Sequence, residues 1–428
     1  MSFNAFSGAA GQDFSDLLRK GAPAAPRVAA PQTPGPVEYD AETLEAITGP
    51  ERRWSWVEID LSAIRHNVQI AKRRLTPGCR LMAVVKANAY GHGAVQVART
   101  ALSAGASQLA VATVNEGVQL RRAGIEAPIL LLSEPPVTAV PLLLHYNIMP
   151  SVYTSEFAVA YGEEADRHGV RAPFHLAVNT GMNRIGVRFD EVLDFLRQIT
   201  FHRALEQVGM FTHFATADCA ETLDFNMQLR RFKETVAAVR AAGIDPGLVH
   251  CANSAALLRY PETHMDMARL GISLYGFHPC PETRGYFDLR PAMSVHARIT
   301  AVNTPPMSEG VSYGLNYRSA GSVKICAVPV GYADGYARAL SSRAIMVYKG
   351  MPCRQVGNIC MDQCMFEVDM RSHGVQRRLD PHVGDEVLLV GTQNGVGVGI
   401  EDLCDILGTI PHELCCSFAL RMPKVYLR

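Results

Sequence analysis

"LMAVVKANAYGHG", residues 81–93, places a lysine directly after a short apolar run and shortly before two glycines. The run from Leu81 to Val85 predicts a buried strand, because short apolar runs with β-branched residues pack well between helices. The glycines indicate a loop before residues 94–102, which are compatible with a helix. Lys86 is therefore predicted at the carboxyl end of a strand, where α/β folds place their chemistry. On this segment alone, a lysine that merely extends from a core strand to water is an equal alternative.

The same texture of apolar runs and helix-compatible segments continues from Trp54 to about Phe277. Eight runs are candidate strands, and they begin at Leu81, Gln108, Pro128, Met149, Phe174, Val208, Leu248 and Met267. Segments between them, such as residues 154–169, 190–200 and 227–243, have apolar spacing close to helical. Eight strands alternating with helices predict an α/β fold of the (β/α)8 TIM-barrel type. A doubly wound open sheet is the alternative, but no GxGxxG turn supports it.

The ends of the chain have a different composition. After about residue 290 the helical segments thin out and strand-like runs separated by turns predominate, which predicts a mainly-β domain over residues 289–428 after a barrel over 54–288. Residues 1–53 include a Pro- and Ala-rich stretch with few large apolar side chains. Such a segment cannot bury enough surface to offset its ordering entropy, so a flexible tail is expected.

Charge and cysteine content exclude several classes of protein. The 428 residues carry 41 basic and 41 acidic side chains, so nothing indicates an electrostatic grip on nucleic acid. No apolar run is long enough to span a bilayer, and the first residues lack the pattern of a Sec-type signal, which predicts a cytoplasmic protein without a membrane partner. The eleven cysteines are odd in number and scattered, which favours reduced buried thiols and no metal site.

Polar residues that follow the predicted strands should converge on one face of a barrel. They are Lys86, Asn179, Arg184, His213, Asn253, Ser254 and Arg269. The set lacks the paired carboxylates of a glycosidase and the ligand clusters of a metal hydrolase. Ser254 and the backbone of Gly271 and Ile272 follow the seventh and eighth strands, the usual phosphate position in barrels. A phosphorylated cofactor beside a lysine points to pyridoxal 5'-phosphate held as a Schiff base.

Nine segments from Trp54 onward resemble the alanine racemases, which are pyridoxal-phosphate enzymes of fold-type III. They are VEIDLSAIRHN, AVVKANAYGHG, NTGMNRIG, THFATAD, ANSAA, RLGISLYG, VSYGLNY, VPVGYADGY and NICMDQCMFEVD. The segments follow the family order and lie in both predicted domains, which makes the match specific. The residues before Trp54 lie outside it.

The resemblance implies two catalytic bases on opposite faces of the bound amino acid. Lys86 holds the cofactor and then acts as one base, and Tyr313 is the other. In this family the tyrosine comes from the partner subunit, so a homodimer with shared active sites is expected. The chemistry agrees, because racemisation takes a proton from one face and returns it to the other. A neutral lysine also requires a pKa lowered from about 10.

The resemblance also implies the residues that hold the cofactor and the substrate. The cofactor set is Lys86, Tyr90, Arg184, His213, Ser254, Arg269, Gly271 and Ile272. Within it Arg269 faces the pyridine nitrogen and keeps it unprotonated, because two cations cannot share one site cheaply. His213 supports that arginine. Arg184, the backbone of Met361, and Tyr332 at the entry are expected to contact the substrate.

Three rival functions are disfavoured by particular features. A fold-type III decarboxylase would place an acidic residue near the ring nitrogen, where this chain has Arg269. A small pyridoxal-phosphate carrier protein would lack residues 290–428. A catalytically inactive homologue would not be expected to keep both Lys86 and Tyr313.

The chain departs from the family pattern at three positions. Ala177 stands where a carbamylated lysine is usual, Asn179 replaces an aspartate, and Leu420 replaces a tyrosine expected to narrow the inner gate. A buried Arg184 would then lose its anionic neighbour, which predicts a chloride or ordered water beside Arg184 and Asn179. The implied activity is interconversion of L- and D-alanine for peptidoglycan. Racemisation of serine or of a broader set of amino acids is the alternative.

Overall fold

The computed structural model describes residues 40, 41, 43, 47, 49–199, 201–370, 379–418 and 421–428. The chain divides into two units, Met1–Ile47 and Thr48–Arg428. In the first unit, the Thr43 backbone N–H donates to Asp40 Oδ1 at 2.7 Å. Most of the predicted tail, residues 1–53, lies outside the described residues, as does Leu420. The architecture below belongs to the second unit.

Eight parallel strands form a nearly closed barrel, as the apolar runs predicted. They span Arg80–Val84, Gln108–Val111, Ile129–Leu131, Met149–Val152, Ala172–Asn179, Leu205–Phe211, Leu248–His250 and Met267–Leu270. The first seven pair with their neighbours in chain order, and the eighth pairs with the first. Between the seventh and eighth strands, Asp266 N donates to Val249 O at 3.1 Å and Arg269 N to Ala252 O at 3.0 Å. The prediction of a (β/α)8 barrel is therefore confirmed.

One helix precedes the first barrel strand, and others connect the barrel strands. Their bounds are Leu61–Arg74, Ala94–Ser103, Val114–Arg122, Val140–His145, Ser155–His168, Val192–Ile199, Leu223–Ala241 and Ser254–Arg259. The helix Ser155–His168 illustrates how the sequence sets its ends. Thr154 Oγ accepts from Phe157 N at its start, and Gly169 ends it at a φ of 65°, a conformation that glycine adopts at little cost.

A second, mostly antiparallel sheet contains the C-terminal part of the chain. Its strands, in spatial order, are Ala301–Asn303, Val323–Val328, Cys364–Asp369, Met351–Val356, Ile345–Tyr348, Glu386–Gln393, Met293–Arg298, Ser55–Asp60 and Lys424–Leu427, and Val396–Val398 pairs with Glu386–Gln393. The helices Ile400–Leu407 and Pro411–Ser417 follow. The predicted mainly-β domain is therefore present.

One strand within the predicted barrel segment, 54–288, belongs to this second sheet. Ser55–Asp60 pairs antiparallel with Met293–Arg298 and parallel with Lys424–Leu427. Its partners are distant in sequence, so the local apolar pattern identified a strand without revealing its sheet. Strands from both ends of the unit therefore complete one edge of the second sheet.

The interior is apolar and contains most of the thiols. Side chains of both sheets and of the packed helices form one large hydrophobic core, and Val323, Ile325 and Val356 form a smaller separate cluster in the second sheet. All eleven cysteines are free, and most are buried. Within the described ranges, no helix is long and apolar enough to cross a membrane. The same residues contain no group of three or more His, Cys, Asp or Glu side chains arranged to hold a metal ion.

Candidate active site

A cavity of about 540 Å³ lies at the carboxyl ends of the barrel strands. It is lined by all eight residues that the sequence assigned to a cofactor, namely Lys86, Tyr90, Arg184, His213, Ser254, Arg269, Gly271 and Ile272. Asn179, Asn253 and Ala177 also line it. These residues come from strands spread over 190 positions of sequence, and the barrel brings them together because the carboxyl ends of its parallel strands share one face.

Lys86 begins a turn with an unusual backbone. Ala87, Asn88, Ala89 and Tyr90 have φ angles of 52°, 52°, 55° and 50°, so the chain after Lys86 makes a left-handed helical turn. Such a conformation costs roughly 1–2 kcal/mol per non-glycine residue, so surrounding contacts must hold it. The sequence indicated only a loop here.

Burial shapes the chemistry of the lysine. Burial of the amine and the nearby Arg184 cation lower the pKa of Lys86, while Glu116 and Cys416 act in the opposite direction. The net effect makes the neutral amine accessible at a lower pH than for a lysine in water. A neutral amine is the form that attacks a carbonyl or accepts a proton.

A small polar cradle lies between the ends of the seventh and eighth strands. Ser254 Oγ accepts from Gly271 N at 2.9 Å. A Cβ added to Gly271 would lie 3.4 Å from Tyr90 Oη and 3.6 Å from Ser254 Oγ, so the missing side chain keeps this space open. Burial raises the pKa of Tyr90 to about 12, which keeps its hydroxyl a neutral donor. Hydroxyl and backbone N–H donors in a barrel at this position suit a phosphate.

Arg269 is buried, and within the described ranges its guanidinium bonds to no carboxylate. Its Nη1 donates to His250 Nδ1 at 2.9 Å, and its Nη2 donates to Thr212 O at 2.9 Å, Cys251 O at 3.1 Å and His213 Nδ1 at 3.2 Å. Every hydrogen bond of this guanidinium found in the described residues therefore goes to a neutral acceptor. Burial lowers the pKa of Arg269 to about 10, so the side chain stays a cation near pH 7.

A row of neutral histidines extends inward from Arg269. Because a guanidinium only donates, His250 Nδ1 must accept, and its Nε2–H then donates to His175 Nδ1 at 2.9 Å. Burial, reinforced by the Arg269 cation, lowers the pKa of His175 and of His213 to about 3 and that of His250 well below its usual value. Gly209 makes room for this row, since a Cβ there would lie 2.3 Å from the His175 ring.

The remaining predicted site residues lie on the surface of the β domain. Tyr313, Tyr332 and Met361 are 74%, 42% and 53% exposed, and they are not among the described residues that line the cavity. Although they are distant in sequence, hydrogen bonds link Tyr313 and Tyr332 to the segment that contains Met361. Asn358 Nδ2 donates to Tyr313 O at 2.7 Å, and Tyr332 N donates to Cys360 O, next to Met361, at 3.0 Å. In one chain, the predicted cofactor residues therefore lie in the barrel cavity, whereas Tyr313, Tyr332 and Met361 lie on the surface of the β domain.

The surroundings of Arg184 differ from the sequence-based expectation. Arg184 is exposed in the single chain, so the prediction of a buried arginine is wrong for the chain taken alone. Asn179 is engaged within its own loop, where its Oδ1 accepts from Gly181 N and Asn183 N, both at 3.1 Å. The error arose because exposure depends on which surfaces cover the loop, and the sequence does not show this.

Two residues near Lys86 escaped the sequence analysis. His412 lines the cavity, and its ring centroid lies 5.7 Å from that of Tyr90. Partial burial and the Lys86 charge lower the pKa of His412. Glu116 lies near Lys86 as well, at the start of the helix after the second strand. Glu116 lies inside the helix that follows its strand, not at the strand end, and His412 lies far from the barrel strands in sequence, so the strand-end argument did not find them.

The fold and the site define a class of protein: a barrel enzyme that combines a partly buried lysine, two arginines and a small polar cradle with a C-terminal β domain. Residues 59–279 match the family model "Alanine racemase, N-terminal domain", and residues 292–426 match "Alanine racemase, C-terminal domain". The chain therefore belongs to the alanine racemase family, which confirms the resemblance of the nine segments.

Individual relatives agree. The alanine racemase of Desulfovibrio desulfuricans is 42% identical over 372 residues, covering 87% of this chain and 98% of that protein. The crystal structure of alanine racemase from Bacillus anthracis with bound L-Ala-P superposes with a TM-score of 0.81 at 35% identity, covering 88% and 95% of the two chains. Histidine racemase from Leuconostoc mesenteroides superposes with a TM-score of 0.80 at 27% identity, covering 88% and 98%.

Proposed function

We propose that this protein is a pyridoxal-phosphate-dependent racemase that interconverts L- and D-alanine with two bases, Lys86 and Tyr313. The observation that carries the proposal is the cavity itself, in which Lys86 lies with the phosphate cradle and the carboxylate-free Arg269. The names of the relatives support alanine as the substrate.

The residues of the cavity fit the cofactor. The Tyr90 hydroxyl, the Ser254 hydroxyl and the backbone N–H groups of Gly271 and Ile272 would hold the phosphate. When bound, pyridoxal phosphate acidifies the α-proton of an amino acid attached to it. Arg269 would lie against the ring nitrogen, where a cation without a carboxylate disfavours a second positive charge. His213 accepts a hydrogen bond from Arg269 through its Nδ1 and so holds the arginine in place.

Racemisation requires two bases, and the cavity of a single chain contains one of them, Lys86. The lowered pKa of Lys86 favours its neutral form, which can take a proton from one face of Cα and return it. Tyr313 is exposed on the β domain together with Met361 and Tyr332. We propose that these three complete the cavity of a second copy of the chain, so that the protein is a homodimer with shared sites.

Substrate preference has a second candidate. A relative of the same fold is named for histidine racemisation, and this chain has Ala177 and His412 in the cavity wall. These features keep open the alternative that the sequence raised, which is racemisation of serine or of a broader set of amino acids. A chloride beside Arg184 and Asn179, a role in peptidoglycan synthesis and a cytoplasmic location stay predictions.

The test is a panel of L-amino acids incubated with the purified protein and pyridoxal phosphate, with the D-product measured. Wild type is expected to give D-alanine fastest and to show the visible absorbance of the bound cofactor. Lys86→Ala should abolish both, and Lys349→Ala, which removes an exposed lysine of the β domain, should change neither. Turnover that survives Lys86→Ala would overturn the proposal.

A further inference from the structure

A single carboxylate joins the loop that carries Lys86 to the next loop of the barrel. Glu116 Oε1 accepts from Ala87 N, the amide directly after Lys86, at 2.6 Å. Its Oε2 accepts from Ala112 N at 2.8 Å and from Thr113 N at 3.0 Å, at the end of the second barrel strand. Both oxygens are therefore used, and three backbone N–H groups from two loops converge on one side chain.

The turn after Lys86 requires support of this kind. Its other hydrogen bonds are local, since Gly91 N donates to Ala87 O at 2.9 Å and Gly93 N donates to Asn88 O at 2.8 Å. Ala89 N also donates to Val85 O at 2.9 Å, so these bonds attach the turn to itself and to the end of its own strand, but not to the neighbouring loop. Gly91 packs against Cys415 O at the far end of the turn. At the near end, where the Lys86 side chain leaves the backbone, the Glu116 carboxylate holds the first amide.

We propose that Glu116 is a positioning residue for Lys86, whose carboxylate fixes the strained turn and so aims the amine into the cavity. The inference rests on the proposed function in that Lys86 is taken as the group that binds the cofactor and moves the proton. It goes beyond that function by giving a role to a residue that contacts the neighbouring amide and not the ligand.

Electrostatics support the geometry. The charged or titratable groups that face Lys86 are Arg184, Glu116, Cys416, His213 and His412. Among the described residues that affect the amine, Glu116 is the carboxylate, and it raises the pKa of Lys86 against the effects of burial and Arg184. Loss of this charge should therefore lower the pKa of Lys86 further.

The chain offers a matched control one barrel strand further along, at Glu134, which follows Ile129–Leu131. Glu134 Oε1 accepts from Thr154 N at 2.6 Å, and its Oε2 accepts from Thr154 Oγ at 2.8 Å. It thus joins two barrel loops as Glu116 does, but it makes no contact with the turn after Lys86. Glu134→Gln measures the cost of losing such a clamp anywhere on this face of the barrel.

The experiment compares wild type, Glu116→Gln, Glu116→Asp and Glu134→Gln as full-length proteins. One readout is hydrogen exchange of the Ala87 amide in cofactor-free protein. The other is the pH midpoint for the rate at which cofactor-free protein takes up pyridoxal phosphate, because only the neutral amine attacks the aldehyde. Neither readout requires racemase activity, so failure of the proposed function appears separately, as absence of D-alanine from wild type.

Glu116→Gln is expected to speed exchange of the Ala87 amide about tenfold, the effect of losing one charged hydrogen bond, and to move the uptake midpoint to lower pH. Glu116→Asp keeps the charge but is one methylene shorter, so it should speed exchange and leave the midpoint near that of wild type. Glu134→Gln should leave both readouts unchanged, even if it lowers the midpoint of thermal unfolding as much as Glu116→Gln does. Unchanged Ala87 exchange in Glu116→Gln, or equal effects of Glu116→Gln and Glu134→Gln, would overturn the inference.

Discussion

Single side chains in this protein take their chemistry from what surrounds them. Arg269 is only 3% exposed and is bonded to backbone carbonyls and two neutral imidazoles instead of a carboxylate. Because none of these acceptors carries a negative charge, they do not neutralise the positive charge that Arg269 presents to a ligand in the cavity. The histidines that make this possible must stay neutral inside the barrel, which ties the stability of the protein to pH.

His175 gives the first prediction. Its pKa is about 3 in the folded chain and close to 6.5 in the unfolded one. The unfolded state therefore takes up a proton between these values that the native state refuses, so the stability due to His175 is complete above pH 6.5 and declines as the pH falls. In His175→Gln the loss of unfolding free energy between pH 7 and pH 5 should be smaller by about 2 kcal/mol.

Urea unfolding of both proteins at pH 7 and pH 5 measures this difference. Glutamine can still accept from His250, so the variant should fold. Identical pH dependence in the two proteins would show that the buried row of histidines does not set the acid sensitivity.

At the scale of elements, a buried carboxylate organises the turn that presents Tyr332. Asp334 is fully buried, and its Oδ2 accepts from Arg53 Nη2 at 2.6 Å and from Gly331 N at 2.9 Å. Arg421 Nε lies 3.4 Å from its other oxygen. The turn is packed so closely that a Cβ on Gly331 would lie 2.3 Å from Met361 O. Asp334 thus joins both ends of the unit to the surface that carries two predicted substrate contacts.

Asp334→Asn should lower the free energy of unfolding by about 2 kcal/mol, because the buried side chain loses its charge-assisted hydrogen bond with Arg53. Asp362→Asn is the control, since Asp362 is largely exposed and also pairs with Arg421. It should cost less than about 1 kcal/mol. Urea unfolding measures both variants, and equal costs would contradict the role given to Asp334.

The left-handed turn after Lys86 shows where prediction from sequence reached its limit. The glycines of "AYGHG" correctly indicated a break after the strand. Asn88 alone tolerates a left-handed conformation, and nothing in the sequence predicts four consecutive left-handed residues, because the turn is held by partners such as Glu116 and Cys415 that are distant in sequence. Strained conformations of this kind depend on tertiary contacts, and local patterns do not record those.

For the molecule as a whole, the barrel was predictable because most of its strands contain a short apolar run that is buried on both faces. The same pattern collected the polar residues of the cavity, since they lie at or shortly after the carboxyl ends of those runs. It could not assign Ser55–Asp60 to the second sheet, nor find His412, which enters the cavity from the helix Pro411–Ser417. Both depend on contacts that the C-terminal segment of the second unit makes with residues distant in sequence.

The separation of Tyr313 from the cavity leads to the central claim, that each active site takes its bases from two chains. Purified Lys86→Ala and Tyr313→Phe proteins, each inactive alone, should be mixed under conditions of verified subunit exchange, and D-alanine formation should be measured. Random exchange makes half of the dimers heterodimers, each with one intact site, so about a quarter of wild-type activity is expected. Activity no greater than the sum of the two unmixed variants, with heterodimers present, would contradict the account and place both bases in one chain.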